Sequence, residues 1–384
     1  MKHSGPSCFE FKSSSLGHSR PLRALIKLSA FKENLHTIAD YVGESKVLVV
    51  IKADAYGHGL VEIAQASGKQ AEFAVAIPEE LKQLRTAGLE NVVWVLEGPF
   101  SAACLQYSDN VVWVIHSLWQ LPLIDQHLKQ NNIGTLSVAI KLDTGMHRLG
   151  FAESELETVF ACFTRHSNIK IVCAMTHFAM SDEANNQDVL RQISQFDSML
   201  AASNVATLKG SLANSGAILF YPEAHRDWVR PGIMLYGGKP APETVCPIKL
   251  KAVMQFQSAI IALHDVSKGE SVGYGSTWTA QQDARIATVA VGYADGYPRH
   301  ALNGTPVGHI NTETSELTIV PLVGRVSMDM ITIDVSALKD VRIGDRIELW
   351  GEHVSVDEVA KYAGTISYDL FTGVSKRVPR VYLL

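Results

Sequence analysis

Between residues 47 and 235 the chain repeats one rhythm: a short apolar run, a turn, then a segment whose apolar positions fall at helical spacing. The run VLVVI at 47–51 has no polar alternation, which predicts a strand covered on both faces, as in a parallel sheet. Further runs stand at 73–77, 92–96, 111–115, 136–142, 169–175, 208–212 and 228–235, making eight with the first. A short strand is also predicted at 24–28. Ser29 is placed to cap a helix in which Phe31, Leu35, Ile38, Ala39 and Val42 recur at helical spacing. Pro78 marks a helix start before Glu79 and Glu80, and Gly88 marks its end. Eight strand-helix units in about 200 residues are the expectation for a (β/α)8 barrel. A doubly wound sheet needs fewer strands and usually a glycine fingerprint after the first. The rhythm alone leaves both open.

Past residue 250 the pattern changes. Apolar runs at 254–263, 287–291, 317–323, 330–335 and 346–350 are separated by short Gly, Asp and Lys turns, which predicts a smaller, mostly β C-terminal domain. The boundary falls in GKPAPETVCP, residues 238–247, a stretch dense in turn formers. The expected division is a loose leader over 1–20, a barrel over 21–245 and a β-rich domain over 246–384, with the strand at 24–28 free to pair with the second domain.

Composition narrows the functional classes. Of 384 residues, 47% are hydrophobic and 19% charged, enough for full cores in two domains. Lys and Arg number 34 against 39 Asp and Glu, a formal charge of -5 with no block of one sign, so no electrostatic footprint for nucleic acid is present. Cys8, Cys104, Cys162, Cys173 and Cys246 are scattered without a CxxC pair. Neither a disulfide framework nor a metal site is suggested, and a reducing cytoplasm fits. No apolar run reaches the roughly 20 residues that span a bilayer. The polar first twenty residues lack the apolar centre of a signal peptide.

Polar residues interrupt the barrel runs at their carboxyl ends: Lys52, His116, Lys141 with Asp143, His177, Asn214 with Ser215, and Arg230. Taken singly, each has an ordinary reading. A lysine at a strand end usually snorkels into water, and Asn-Ser is usually a turn. A histidine after a strand is usually hydrogen-bonded filler, the reading kept for His116. Six such groups at one barrel mouth are another matter, because ligands and catalytic groups collect at that face. There, a lysine in apolar surroundings has a lowered pKa, which leaves neutral amine able to attack a carbonyl or hold a Schiff base.

The string KADAYGHG, residues 52–59, resembles the pyridoxal-phosphate lysine motif of alanine racemases, and further segments match that family's pattern in the same order. The resemblance covers nearly everything from residue 24 onward. It implies a (β/α)8 TIM barrel followed by a smaller, mostly β domain. It also implies pyridoxal 5'-phosphate as cofactor, held by Lys52 as an internal aldimine, with Tyr56 at its phosphate. KLDTGMHRLGF, residues 141–151, resembles the segment whose arginine, here Arg148, binds the cofactor's phenolic oxygen and the substrate carboxylate, a task suited to a guanidinium. Lys141 matches a lysine that is carbamylated in some members and steadies that arginine. THFAMSD places His177 against the pyridine ring. LANSGA supplies Asn214 and Ser215, and RPGIMLYG supplies Arg230, Gly232 and Ile233. Ser215 with the Gly232 and Ile233 amides is similar to the family's phosphate cup. Arg230 resembles the residue facing the pyridine nitrogen. An arginine does not give up its proton in a protein, so that nitrogen stays unprotonated and the cofactor is a weaker electron sink.

In the C-terminal part, VGYGSTWTA contains Tyr274, which resembles the family's second catalytic base, reaching the cofactor of the partner subunit. VGYADGYPR contains Tyr293 and Arg299, and GRVSMDM contains Met328, whose backbone amide resembles a substrate-carboxylate donor. TISYDL contains Tyr368, similar to a tyrosine that lies by the phosphate and narrows the entrance with Tyr293. Asp369 stands where the family often has Glu, with the same charge and a shorter reach. The resemblance thus implies a cytoplasmic homodimer with shared active sites that interconverts L-alanine and D-alanine by a two-base mechanism and supplies D-alanine for the bacterial cell wall. Two other readings stand beside it. A barrel-type pyridoxal-phosphate decarboxylase is opposed by Arg230 and Tyr274, since such enzymes resemble one another in an acidic residue at the pyridine nitrogen and an acidic cysteine opposite. A non-catalytic pyridoxal-phosphate carrier would be a single barrel, without the region past 250.

Overall fold

The computed structural model describes residues 19–107, 109–129, 134–203, 207–241, 243 and 245–384, so the expected leader, apart from its last two residues, lies outside them, as does Cys8. The chain forms two compact units, one of residues 28–251 and one that joins the segment up to residue 27 with 252–384. Residues 246–251 therefore lie across the division from where the sequence pattern put them, and residues 21–27, which hold β1 (Arg23–Lys27), fall in the second unit, with which that strand is expected to be free to pair.

The first unit contains β2 (Lys46–Val50), β3 (Glu72–Val75), β4 (Val93–Val95), β5 (Val111–Ile115), β6 (Leu136–Lys141), β7 (Ile169–Met175), β8 (Gly210–Ser211) and β9 (Trp228–Val229). They form one sheet in the order β8-β7-β6-β5-β4-β3-β2-β9, every neighbouring pair parallel. The seam between β8 and β9 is spanned by an Asn214–Arg230 bridge, by Arg230 N–H donating to the Ala213 carbonyl (2.8 Å) and by Asp227 N–H donating to the Gly210 carbonyl (3.0 Å). The result is a nearly closed eight-stranded parallel barrel. Its strands are buried toward their carboxyl ends, and Trp94 and Trp113 are among the fully buried side chains. The Glu72 carboxylate accepts from the indole N–H groups of Trp94 and Trp228, both at 3.1 Å, so neither buried indole lacks an acceptor. Helix Leu28–Val42 follows β1 with no loop, which places Ser29 inside the first turn and not at a cap. Phe31, Ile38 and Val42 are buried as their spacing predicts, whereas Ala39 is exposed and Asn34 is buried. The Asn34 amide donates to the Leu235 and Lys251 carbonyls and accepts from Lys251 N–H, a role that apolar periodicity cannot register.

In the second unit, β10 (Met254–Val266) pairs antiparallel with β1, then with β17 (Arg346–Trp350), then with β13 (Ala284–Val289), and its register breaks between Ile260 and Ala262. β14 (Pro306–Ile310), β15 (Leu317–Val323) and β16 (Ile331–Asp334) complete a ring running β10-β13-β16-β15-β14-β17 and back to β10. Closure removes the unpaired edges of those six strands. β1 extends the sheet and pairs parallel with β18 (Arg380–Leu383). A separate hairpin joins β11 (Ser271–Val272) to β12 (Trp278–Thr279), and helices Val356–Tyr362 and Ser367–Gly373 pack on each other. β11, β12, β14 and β18 were not among the predicted runs. β14 reads PVGHI, turn-like by composition, yet all five residues are buried. Among the described residues no helix is long and apolar enough to cross a membrane.

Candidate active site

After β2 the chain turns left-handed: Ala53, Asp54, Ala55 and Tyr56 have φ of 53°, 55°, 51° and 53°. Each non-glycine residue in this region costs about 1–2 kcal/mol, so four in succession must be held by their surroundings. Ala53 N–H donates to Glu80 Oε1 (2.6 Å), Leu60 N–H to Asp54 Oδ1 (2.8 Å), and His58 Nδ1–H to the Tyr56 carbonyl (2.8 Å). The other Glu80 oxygen accepts from Ala76 N–H at the start of helix Pro78–Thr86 (2.7 Å), so one carboxylate ties the turn to the neighbouring helix. The turn leaves Lys52 at the carboxyl end of β2 and carries Tyr56 back to stack on Tyr236, ring centroids 4.9 Å apart. Tyr236 in turn donates its hydroxyl to the Val50 carbonyl (2.9 Å).

Four cations and one histidine face one another at this end of the barrel. Burial, then Arg148, draws the Lys52 amine below the ordinary lysine range, with Glu97 and Glu80 opposing. Lys141, the last residue of β6, is buried and is pulled down to about 8 by burial, then by Arg230, Arg148 and Lys52. Arg230 is buried and donates to the carbonyls of Ser211 (2.6 Å), Thr176 (2.6 Å) and Leu212 (3.1 Å) and to Ser211 Oγ (2.8 Å). Burial lowers its pKa only to about 10, which leaves it protonated at neutral pH. Its Nη2 also donates to His177 Nδ1 at 3.3 Å. Part of His177 reaches solvent, but burial and then Arg230 hold the ring well below the ordinary histidine pKa. It is therefore neutral at pH 7, and because Nδ1 accepts, its proton is on Nε2. Arg148 sits on the loop between Leu142 and Phe151 and has no hydrogen-bond partner among the described residues. Asp143 shapes that loop by accepting from Gly145 N–H, His147 N–H and His147 Nδ1. Such an excess of fixed positive charge fits anionic ligand groups.

Beside the cations lies a cradle of small residues. Asn214 caps helix Ser215–Phe220 through Ala217 N–H and accepts from Ser181 Oγ. Ser215 is buried and its Oγ accepts from Gly232 N–H (2.9 Å), with Ile233 next in a short 3-10 turn. A Cβ on Gly232 would lie 2.3 Å from Tyr56 Oη, so glycine is required and Tyr56 closes one side of the cradle. Tyr56, Asn214, Ser215, Gly232 and Ile233 are thus brought together with Lys52, Lys141, Arg148, His177 and Arg230 in one unit. His116 lies near Lys141 but is engaged by its own neighbours: its Nε2–H donates to the Glu97 carbonyl (3.0 Å) and its Nδ1 meets Ser117 Oγ (2.9 Å), the bonding of a structural histidine.

The second unit gathers the remaining candidates. Tyr274 is exposed at the tip of the β11-β12 hairpin, between Gly273 (φ 76°) and Gly275 (φ 71°), while Val272 and Trp278 anchor the hairpin on a small core around Ile286 and Val323. Tyr293 N–H donates to the Ser327 carbonyl and Ala294 N–H to the Met328 carbonyl, which fastens the Tyr293 turn to the Met328 loop. Both side chains are exposed, Arg299 lies 5.6 Å over the Tyr293 ring, and the Met328 amide has no partner among the described residues. Tyr368 lies in helix Ser367–Gly373, whose far end packs on Gly296, where a Cβ would meet the Gly373 carbonyl at 2.2 Å. Sequence reasoning missed Glu80, Thr176, Ser211 and Asp295. Only Glu80 carried a signal, its third position in a proline-started helix.

Both units match one known family. The family described as alanine racemase, N-terminal domain, matches residues 26–240, and alanine racemase, C-terminal domain, matches residues 253–382. An alanine racemase of Hahella chejuensis is 43% identical over 373 residues, 95% of this chain and 98% of that protein. The crystal structure of the biosynthetic alanine racemase from Pseudomonas aeruginosa superposes with a TM-score of 0.87 at 39% identity, covering 95% of this chain and all of that one. That of the Bartonella henselae alanine racemase, with covalently bound pyridoxal phosphate, gives 0.84 at 31% identity over 94% and 99% of the two chains. This chain belongs to the alanine racemase family.

Proposed function

We propose that the chain interconverts L-alanine and D-alanine with pyridoxal 5'-phosphate held at the barrel mouth. The observation that carries this is the lowered Lys52 amine among Lys141, Arg148 and Arg230, next to the Ser215–Gly232 cradle. The residues present fit the cofactor: Ser215 Oγ and bare backbone at Gly232 suit a phosphate, and surplus cations suit its other oxygens. Lys52 would hold it, with Tyr56, Asn214, Ser215, Gly232, Ile233 and Tyr368 at the phosphate, Arg148 at the phenolic oxygen, His177 against the ring and Arg230 at the ring nitrogen. Bound there, it supplies an electron-withdrawing ring that acidifies the Cα–H of an amino acid.

The chain's own residues do the rest. Inverting a centre requires removing a proton from one face and delivering one to the other, so two bases are needed. Lys52 serves one face, because burial and then the neighbouring Arg148 lower its pKa and so raise the share of neutral amine. Tyr274 of a second copy of the chain serves the other, and the His177 Nε2–H is a donor suited to stabilising its phenolate. Arg148 and the Met328 amide hold the substrate carboxylate, while Tyr293 limits side-chain size. Lys141, at about 8, offers the neutral amine that carbamylation needs, and a carbamate would offset part of the surplus positive charge beside Arg148. A cytoplasmic homodimer supplying D-alanine for the bacterial cell wall completes the reading.

The test is to incubate the purified, cofactor-loaded protein with L-alanine and with L-serine while following optical rotation and carbon dioxide. Rotation should decay to zero with L-alanine, and more slowly with L-serine, without gas release. Release of carbon dioxide would make it a decarboxylase, and unchanged rotation with bound cofactor would make it a carrier.

A further inference from the structure

Asp295 is the most deeply buried carboxylate near the Tyr293 turn, with no exposed surface, and it is fully engaged. Its Oδ1 accepts from Arg20 Nη1 (2.7 Å) and Arg377 Nε (2.7 Å), and its Oδ2 accepts from Arg20 Nη2 (3.0 Å) and Gly292 N–H (2.8 Å). Each arginine also reaches the other loop: Arg20 Nη2 donates to the Asp329 carbonyl (2.7 Å) and Arg377 Nη2 to Asp329 Oδ1 (2.5 Å). Two guanidinium groups therefore rivet residues 292–295 to residues 327–330. Gly292 permits the close approach, since a Cβ there would sit 2.3 Å from the Met328 carbonyl oxygen. Tyr293 and Met328 project from the two riveted segments, each beside one of the paired carboxylates. Arg20 precedes the family match, which begins at residue 26.

We propose that Arg20, with Arg377 and Asp295, is a positioning residue that sets the spacing between Tyr293 and the Met328 amide and so the fit of the substrate's carboxylate and side chain. This rests on the reading of Tyr293 and Met328 as substrate contacts. Bidentate pairing fixes orientation as well as distance, which a single ammonium does not. The clamp acts on substrate fit and leaves the barrel cations untouched.

The experiment compares Arg20→Gln, Arg20→Lys and Arg377→Gln with wild type, all loaded with pyridoxal phosphate. Wild-type-like visible absorbance is expected in each, with KM for alanine raised about tenfold, kcat within about threefold and a reduced preference for alanine over serine. Arg20→Lys should recover little, and hydrogen exchange should quicken at the Gly292, Tyr293 and Ala294 amides alone. Unchanged KM and unchanged exchange would overturn the proposal. So would unfolding of both glutamine variants, which would make the cluster a fold staple. If wild type racemises no alanine, the functional reading fails by itself, and exchange at those three amides still decides whether the clamp exists.

Discussion

The Lys52 amine is lowered first by burial and then by the neighbouring Arg148. A positive neighbour disfavours the ammonium, so Arg148 lowers the pKa of both Lys52 and Lys141. Removing that cation must raise both, and the neutral amine then appears only at higher pH. Arg148→Gln should therefore shift the acid limb of kcat/KM to higher pH, in addition to weakening substrate binding. An unmoved acid limb would show that Arg148 does not set the base. Lys52→Ala tests the linkage itself: visible absorbance and activity should both vanish. Colour that survives dialysis and borohydride in that variant would assign the cofactor to another amine, and Lys141 is the neighbour to examine. These residues were legible in the sequence because each lies in a short contiguous motif at the end of an apolar run. Asp295 was not, because its partner Arg20 lies 275 residues away and neither residue interrupts a periodic pattern. Asn34 shows the same limit, a polar residue on the buried side of a helix whose bonds go to residues 235 and 251.

At the scale of elements, the left-handed turn and the β14-β17 connection carry the same lesson, that partners supplied from elsewhere fix a conformation the local sequence does not announce. The turn is built from Ala, Asp, Ala and Tyr, a run that does not announce positive φ, and bonds that include those through Glu80, Leu60 and His58 hold it. A β-branched residue fits that region worst. Ala53→Val should cost about 2 kcal/mol and loosen cofactor binding, while Ala39→Val, exposed on a regular helix, should cost about 0.5 kcal/mol. Equal shifts in Tm would remove the strain argument. In the second unit, Asp345 accepts from His309 Nε2 (2.8 Å), Thr312 and Arg342 N–H. Burial pushes its carboxyl up, but the hydrogen bonds outweigh that and hold it below the ordinary value. A depressed carboxylate contributes stability that is present above the unfolded pKa, near 3.9, and is lost as pH falls through the folded one. Asp345→Ala should thus cost about 3 kcal/mol at neutral pH, and the gap from wild type should narrow in acid. A gap independent of pH would mean packing and not charge. The sequence pattern missed β14 because Pro306, Gly308 and His309 look like a turn, and His309 is satisfied only by Asp345 across the fold. It found the barrel strands because β-branched runs buried on both faces have no other simple reading, although β8 and β9 proved only two residues long.

For the molecule as a whole, the question is whether one chain suffices. The barrel unit holds Lys52 and every cation of the candidate site, whereas Tyr274 stands 71% exposed on a hairpin whose neighbours, Val272 and Trp278, are committed to their own small core. A hairpin anchored at its base that presents a tyrosine to solvent is what a donated base requires. If Tyr274 acts on a second copy, Lys52→Ala and Tyr274→Phe homodimers should each be nearly inactive. Dissociating the two, mixing them in equal amounts and reassociating yields mixed dimers as about half of the population when pairing is random. Each mixed dimer has one site with both defects and one site intact, so activity should return to about a quarter of wild type. The same mixture should retain about half of the visible absorbance of loaded wild type if only chains with Lys52 hold the cofactor. That second reading separates true complementation from carry-over of active enzyme, which would scale absorbance and activity together. If mixed dimers form, as shown by tagged pull-down of one variant through the other, and activity stays at the level of the parents, both bases belong to one chain. Tyr274 would then have to reach Lys52 of its own barrel, and the shared-site dimer would be wrong.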